Sequence, residues 1–229
     1  MDKNNKEVTA LVPMKGRSER VPAKNMRNLG GKPLFFHILE SLSNAKLVRE
    51  IIVDTDSPQI KLLINQNFPQ VIILPRPRHL LGDKVSMDPI IEYDIKHIKT
   101  KHFLQTHATN PFLKSTTIDN AIRAYFEVLA KGYDSVMAVT RYQARFYNHL
   151  KQPINHNPAI MLPSQDMLPL YEDNSNFYII STETFAKYKN RVGKNPYFIE
   201  LPKLECVDID EEQDFYLAEA LFDFLNKKE

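Results

Sequence analysis

The sequence contains almost no cysteine. Cys206 is the only one in 229 residues, which excludes an internal disulfide and any metal centre built on several thiolates. No apolar run approaches the length of a bilayer span, and Met1 to Glu7 lacks the apolar centre of a signal peptide. Charge of one sign is also lacking: 30 basic residues against 28 acidic ones leave +2, too little for a global field that would hold long nucleic acid. There is no internal repeat and no low-complexity segment. These absences predict a soluble cytoplasmic protein with neither nucleic acid nor membrane as a partner. The remainder is ordinary globular composition, with 43% hydrophobic and 25% charged residues. The length suits one domain, or one domain with an insertion.

Short β-branched runs alternate with longer amphipathic stretches. Segments 8–13, 50–54, 71–74, 103–106 and 135–140 read as strands buried on both faces. Helix candidates lie between them. Pro33 opens "PLFFHILESLSNA", Ser57-Pro58 is a cap followed by a first-turn proline, and Ser115 precedes "TTIDNAIRAYFEVLA". This alternation predicts an α/β fold of three layers, a mostly parallel Rossmann-like sheet between two layers of helix. Right-handed crossovers put the loops after the strands along one edge, where such sheets bind ligands. The rhythm breaks at 141–175, where "PINHNPAIMLPSQDMLPLYEDN" carries four prolines and no helical period. So long an irregular segment reads as an inserted arm. Alternation returns at 177–181, and a last helix is expected from about 211 to 227.

One loop stands out. In "LVPMKGRSERVPAKN", directly after the first strand, Lys15, Arg17, Arg20 and Lys24 surround a single acid, Glu19. Backbone amides at that edge, with Lys15 and Lys24 alongside, suit a triphosphate, and Gly16, Gly30 and Gly31 supply the turns. The spacing is neither a Walker loop nor a G-x-G-x-x-G fingerprint. On charge alone, a solvated loop is the simpler reading. Near the other end, "VDID" places Asp208 and Asp210 two apart, so an extended chain points both carboxylates one way and Ile209 the other. Two hard oxygen donors beside phosphates suit Mg²⁺. Equally, Asp210 suits a helix cap with Gln213 completing a capping box.

"VPMKGRSERVPAKNMRNLGGKPL" resembles the amino-terminal signature of the sugar-acid cytidylyltransferases, the family of CMP-sialic acid synthetases. Pro13, Gly16, Ser18, Pro22, Lys24, Asn25, Gly31, Lys32, Pro33 and Leu34 fall in register. Lys15 stands where the family usually has arginine, and Arg17 where it has glycine. The likeness continues through "VDTDS", through Arg76, Pro77, Leu80, Asp83 and Ser86, and through Gln105, Thr109 and Pro111. It ends with "SQDMLPLYEDNSNFYI" and "VDIDEEQDF".

The resemblance implies a nucleotidyltransferase sheet whose insertion, 141–175, is an arm exchanged in a homodimer. It implies CTP and an acidic nonulosonic- or Kdo-type sugar as substrates, with CMP-sugar and pyrophosphate as products and Mg²⁺ as cofactor. By the same likeness Lys15, Lys24 and Asp210 are catalytic, while Lys15, Ser18, Lys24, Asn25, Arg76 and Ser86 bind the nucleotide. Gln105, Gln165, Tyr178 and Phe198 meet the sugar, and Asp208 and Asp210 hold the metal. Asn174 and Tyr197 fall in the same sugar-side segments. One departure is Ser164, where the family commonly has an arginine for the sugar's carboxylate; Arg141 and Arg145 are candidate substitutes. No general base stands out, His107 being a weak candidate.

Two rivals follow from the same residues. Asp54 and Asp56 repeat the Asp-x-Asp spacing that holds metal in some glycosyltransferases, although Thr55-Asp56-Ser57-Pro58 also reads as a turn into a capped helix. A non-catalytic nucleotide-binding relative is the other.

Overall fold

The computed structural model describes residues 6–18, 20–82 and 84–227. In chain order the first half comprises β1 (Val8–Leu11), the two-residue strands β2 (Asn28–Leu29) and β3 (Lys32–Pro33), α1 (Leu34–Asn44), β4 (Val48–Thr55), α2 (Pro58–Asn67), β5 (Ile72–Pro75), α3 (Met87–Asp94), β6 (His102–Thr106) and α4 (Ser115–Leu129). The second half comprises β7 (Ser135–Tyr142), β8 (Leu170–Ser181), α5 (Thr182–Tyr188), β9 (Pro196–Glu200) and α6 (Glu212–Asn226). β2 and β3 form a small antiparallel hairpin. The remaining strands form one seven-stranded sheet in the order β5-β4-β1-β6-β8-β7-β9.

Every strand of that sheet runs the same way except β8, which is antiparallel to both its neighbours. Val8, Ala10 and Val12 on one face meet Phe35 and Ile38 of α1 and Ile122 and Tyr125 of α4. Leu11, Ile52 and Phe103 on the other meet Ile91 of α3 and Phe185 of α5. The expected three-layer α/β architecture is therefore the observed one, with both faces of the parallel strands covered.

Local chemistry accounts for the helix starts. The Ser57 hydroxyl accepts from the Ile60 amide at 3.3 Å with Pro58 in the first turn, and Ser181 caps α5 in the same way. Two expected caps move. Ser115 lies inside α4, with Lys114 preceding it. The last helix is capped by Glu211, whose amide, like that of Asp210, donates to Asp214. Asp210 and Gln213 therefore form no capping box, and the Asp210 carboxylate is left for other partners.

The insertion is shorter than its composition suggested. β7 and β8 pair as far as Tyr142 and Leu170, which leaves residues 143–169 as the arm. A bridge of Tyr147 to Pro153 holds it together, as does Asn155, whose amide donates to the Ala144 and Leu168 carbonyls. No helix among the described residues is long and apolar enough to cross a membrane.

Candidate active site

After β1 the chain goes to β4 on one side of the sheet, and later to β6 on the other. The carboxyl ends of β1 and β6 therefore flank a topological switch point, where open α/β sheets form their ligand crevice. A cleft of about 460 Å³ opens there, lined by Lys15, Arg17, Ser18, Arg20, Lys24 and Asn25 from the first loop. His107 and Thr109 line it from the loop after β6, together with Arg191, Asp208 and Asp210.

The first loop is tied down at several points. The Gly16 amide donates to Asp56 at 2.7 Å, the Asn25 side chain donates to the Lys15 carbonyl at 2.9 Å, and the Ser18 hydroxyl accepts from the Val21 amide. Asp56 thus acts as a brace for the basic loop.

A single backbone bond, from the Ile209 amide to the Thr109 carbonyl at 3.0 Å, fixes the acidic segment against the loop after β6. Ile209 is fully buried, and Asp208 and Asp210 flank it at the cleft. Asp210 Oδ1 accepts from Arg20 at 2.8 Å and from Lys24 at 3.3 Å. Asp208 Oδ1 is buried without any hydrogen-bond partner. Burial raises the Asp208 pKa, with the Thr109 hydroxyl working against that shift and the Asp210 charge adding to it. An orphaned carboxylate oxygen beside a second carboxylate fits a hard cation that completes its shell with phosphate and water. No set of three or more His, Cys, Asp or Glu side chains arranged for a metal occurs among the described residues, so this pair is the candidate.

A second cavity of about 480 Å³ adjoins the first, with Met87 and Arg191 common to both walls. Ser86 lines this one rather than the main cleft, and Asp88, Asp173 and Asn190 share the wall.

The other expected contacts lie elsewhere. Arg76 is buried, its Nε donating to Asp54 Oδ1 at 2.5 Å, so its guanidinium is spent on a fully buried carboxylate behind the cleft. The same pairing removes Asp54 from solvent. Gln105 is fully buried and stands behind the cleft wall. Its amide donates to the Thr106 carbonyl, and its Oε1 accepts from Arg191. Tyr178 is buried too, its ring under the Arg191 guanidinium at 4.2 Å. Gln165 is exposed on the arm, and Phe198, exposed on β9, lies against Tyr171. Neither lines either cavity. Arg145 donates to Leu162 within the arm, and Arg141 sits in β7. Asn174 is buried against Thr140. Asp83 lies outside the described residues.

His107 is pushed down to about 3 by burial, with the Arg191 charge adding to the shift. Its Nε2 accepts from Gln105 at 3.2 Å and faces Arg191 at 3.4 Å, as a neutral ring would. With Nε2 already accepting from Gln105, the ring offers that nitrogen to no substrate hydroxyl. Arg191 leaves no signal in the sequence: "NRVGK" carries no motif, and only the folded chain brings it to the cleft.

A crevice at the switch point, in which a basic loop meets paired carboxylates, marks an open α/β sheet protein with a charged ligand cleft. A family model described as "Cytidylyltransferase" matches residues 9–227, and the chain belongs to that family. Among curated proteins it is 24% identical to N-acylneuraminate cytidylyltransferase A of Danio rerio, over 95% of this chain and 51% of that one. It is 22% identical to the pseudaminic acid cytidylyltransferase of Campylobacter jejuni, covering 93% and 94%. It is 26% identical to the CMP-N,N'-diacetyllegionaminic acid synthase of Legionella pneumophila, covering 94% and 96%. The chain thus spans about half the length of the N-acylneuraminate enzymes it matches. Of solved structures, a CMP:2-keto-3-deoxy-manno-octonic acid synthetase complexed with CTP superposes with a TM-score of 0.71 at 12% identity, covering 96% of this chain and 99% of that one. The 4-diphosphocytidyl-2C-methyl-D-erythritol synthase of Anaerococcus prevotii does so with 0.66 at 12%, covering 96% and 97%. At these identities the superpositions establish the fold alone.

Proposed function

We propose that this chain is a cytidylyltransferase that joins CTP to an acidic sugar of the nonulosonic or Kdo type, giving a CMP-sugar and pyrophosphate. The observation that carries the reading is the meeting of Lys15 and Lys24 with Asp208 and Asp210 in the lining of one cleft at the switch point. In the reaction the anomeric hydroxyl oxygen bonds to the α-phosphorus while the α–β bridging P–O bond breaks and pyrophosphate departs. Such transfers depend on positioning and on neutralising oxygen charge, with little covalent work for the protein.

Lys15, Arg17 and Lys24 serve the phosphates, and Ser18 and Asn25 hold the loop that presents its amides. Asp208 and Asp210 would hold Mg²⁺, which when bound neutralises charge on the phosphate oxygens. Arg20 and Lys24, now on Asp210, are the side chains that turn toward phosphate when that carboxylate takes a cation. The hydroxyl's proton leaves to water in the open cleft, since the His107 Nε2 already accepts from Gln105. Ser86, in the adjoining cavity, faces the sugar side.

The partner proposed for the arm is a second copy of the chain. Leu150, Met161 and Leu168 are 63%, 69% and 78% exposed on it, apolar surface that a like subunit would cover. Exchange of arms would also carry Gln165 toward a neighbouring cleft. Light scattering at micromolar concentration should return twice the chain mass.

The direct test crosses the four nucleoside triphosphates with N-acetylneuraminic, pseudaminic, legionaminic and Kdo acids and records pyrophosphate. Release with CTP and at least one acid is expected; no release from any pair would refute the activity.

A further inference from the structure

Among the described residues Arg191 has no ion-pair partner. Its Nη1 donates to Gln105 Oε1 at 3.0 Å and faces His107 Nε2 at 3.4 Å, and its guanidinium lies 4.2 Å above the Tyr178 ring. All three neighbours are uncharged. Among the described residues no carboxylate comes within ion-pair distance of Arg191, and its Nε and Nη2 make no hydrogen bond. Asp173 is on the adjoining wall, where its Oδ1 accepts from the Tyr178 hydroxyl at 2.6 Å and the Ser175 amide at 3.1 Å. A half-buried guanidinium held this way is set to receive a carboxylate with two parallel donors.

The segment that carries it is fastened. Lys189 ends α5 with a positive φ of 54°. Asn190 Oδ1 accepts from the Val192 and Gly193 amides at 2.9 and 2.7 Å. Asp134 accepts from the Lys194 and Asn195 amides. Gly193 has φ 76°, and a Cβ there would lie 2.6 Å from Asp134 Oδ1, so the turn depends on glycine. Arg191 stands where the two cavities meet: the phosphate-side cations and paired carboxylates lie in one, and the polar wall of Ser86, Asp88 and Asn190 in the other.

We propose that Arg191 anchors the carboxylate of the acidic sugar, with Gln105 and Tyr178 as the positioning residues that hold its guanidinium. The inference rests on the cytidylyl-transfer reading and adds to it the side chain that selects an acid. The sugar carboxylate then lies at the junction of the cavities, its anomeric hydroxyl toward the phosphates and its polyol in the second cavity.

The test compares the wild type with Arg191→Gln and Arg191→Lys, using the four acids named above and the methyl ester of each. Initial rates give KM and kcat for each pair, and calorimetry gives Kd for CTP and for the sugars. In the wild type the best acid should exceed its ester in kcat/KM by at least about thirtyfold, on the scale of a charge-assisted bidentate contact. Arg191→Gln should cut the acid to the level of the ester and leave the ester within about threefold, and Arg191→Lys should fall between. Kd for CTP should be the same in all three. An acid-to-ester ratio that survives in Arg191→Gln overturns the proposal, as does an equal loss of CTP affinity, which would make Arg191 a phosphate contact. Should the wild type release no pyrophosphate with any acid, the transfer reading fails. Arg191 is then judged by calorimetry alone, where equal wild-type affinities for acid and ester, or binding of neither, refute it.

Discussion

Lys24 Nζ donates to the Ile209 carbonyl at 2.5 Å and lies 3.3 Å from Asp210 Oδ1, joining the first loop to a segment 186 positions later. One ammonium therefore closes the cleft between its basic and acidic walls. Lys24→Met should lower kcat/KM on the order of 100-fold, the usual scale for losing one aimed charge on a transferring group. Pyrophosphate release measured with saturating CTP and the preferred acid checks this.

Asp208 predicts a trade between stability and turnover. Its buried oxygen has no donor, and burial disfavours its charge. Asp208→Asn should leave the ligand-free Tm unchanged or higher, while abolishing both turnover and the Tm gain from CTP with magnesium. Thermal melts with and without the nucleotide are the measurement; a lowered ligand-free Tm would contradict it.

Asp54→Asn should act in the opposite sense. It would strand the buried Arg76 guanidinium, at a cost on the order of 3–5 kcal/mol. The expected signature is a large fall in the urea midpoint, with the metal dependence of the folded fraction retained. Loss of metal-dependent turnover at full stability would instead favour the glycosyltransferase rival.

Asp94 of α3 sits 1% exposed beside that ion pair, its carboxyl within hydrogen-bond reach of the Asp54 carboxylate. Burial, followed by the Asp54 charge, pushes its pKa up to about 9. The folded chain keeps this carboxyl protonated, whereas the unfolded chain ionises it near pH 4. Its contribution to stability is thus complete below about pH 4 and lost as pH climbs toward about 9, with a limiting slope of about 1.4 kcal/mol per pH unit. Urea unfolding at pH 5, 7 and 8.5 should show wild-type stability declining with pH, and Asp94→Asn should flatten that decline.

Several of these features could be read before any coordinates. The alternation of β-branched runs with amphipathic stretches marked the layers, because parallel strands buried on both faces leave a periodic signal. The basic loop and the 208–210 pair were visible because short spacings in extended chain translate directly into direction. The reversal of β8 left no such trace, since a central strand is apolar whichever way it runs. By resemblance Arg76 is expected on the nucleotide, and only the meeting of β4 with β5 puts it on Asp54. Gln105 and Tyr178 are expected on the sugar by resemblance, and the fold buries both against Arg191, a depth that long-range packing decides and no local spacing records.

The inverted strand also decides geography. Because β7 runs with β6, it ends at the rim where the crevice opens, and β8 must start back from that same rim. Residues 143–169 are consequently rooted beside the mouth of the crevice rather than at the far side of the molecule. On the reading that a second copy takes this limb, that copy would stand at the mouth of the crevice, and dilution that parts the two should weaken the sugar's grip before the nucleotide's.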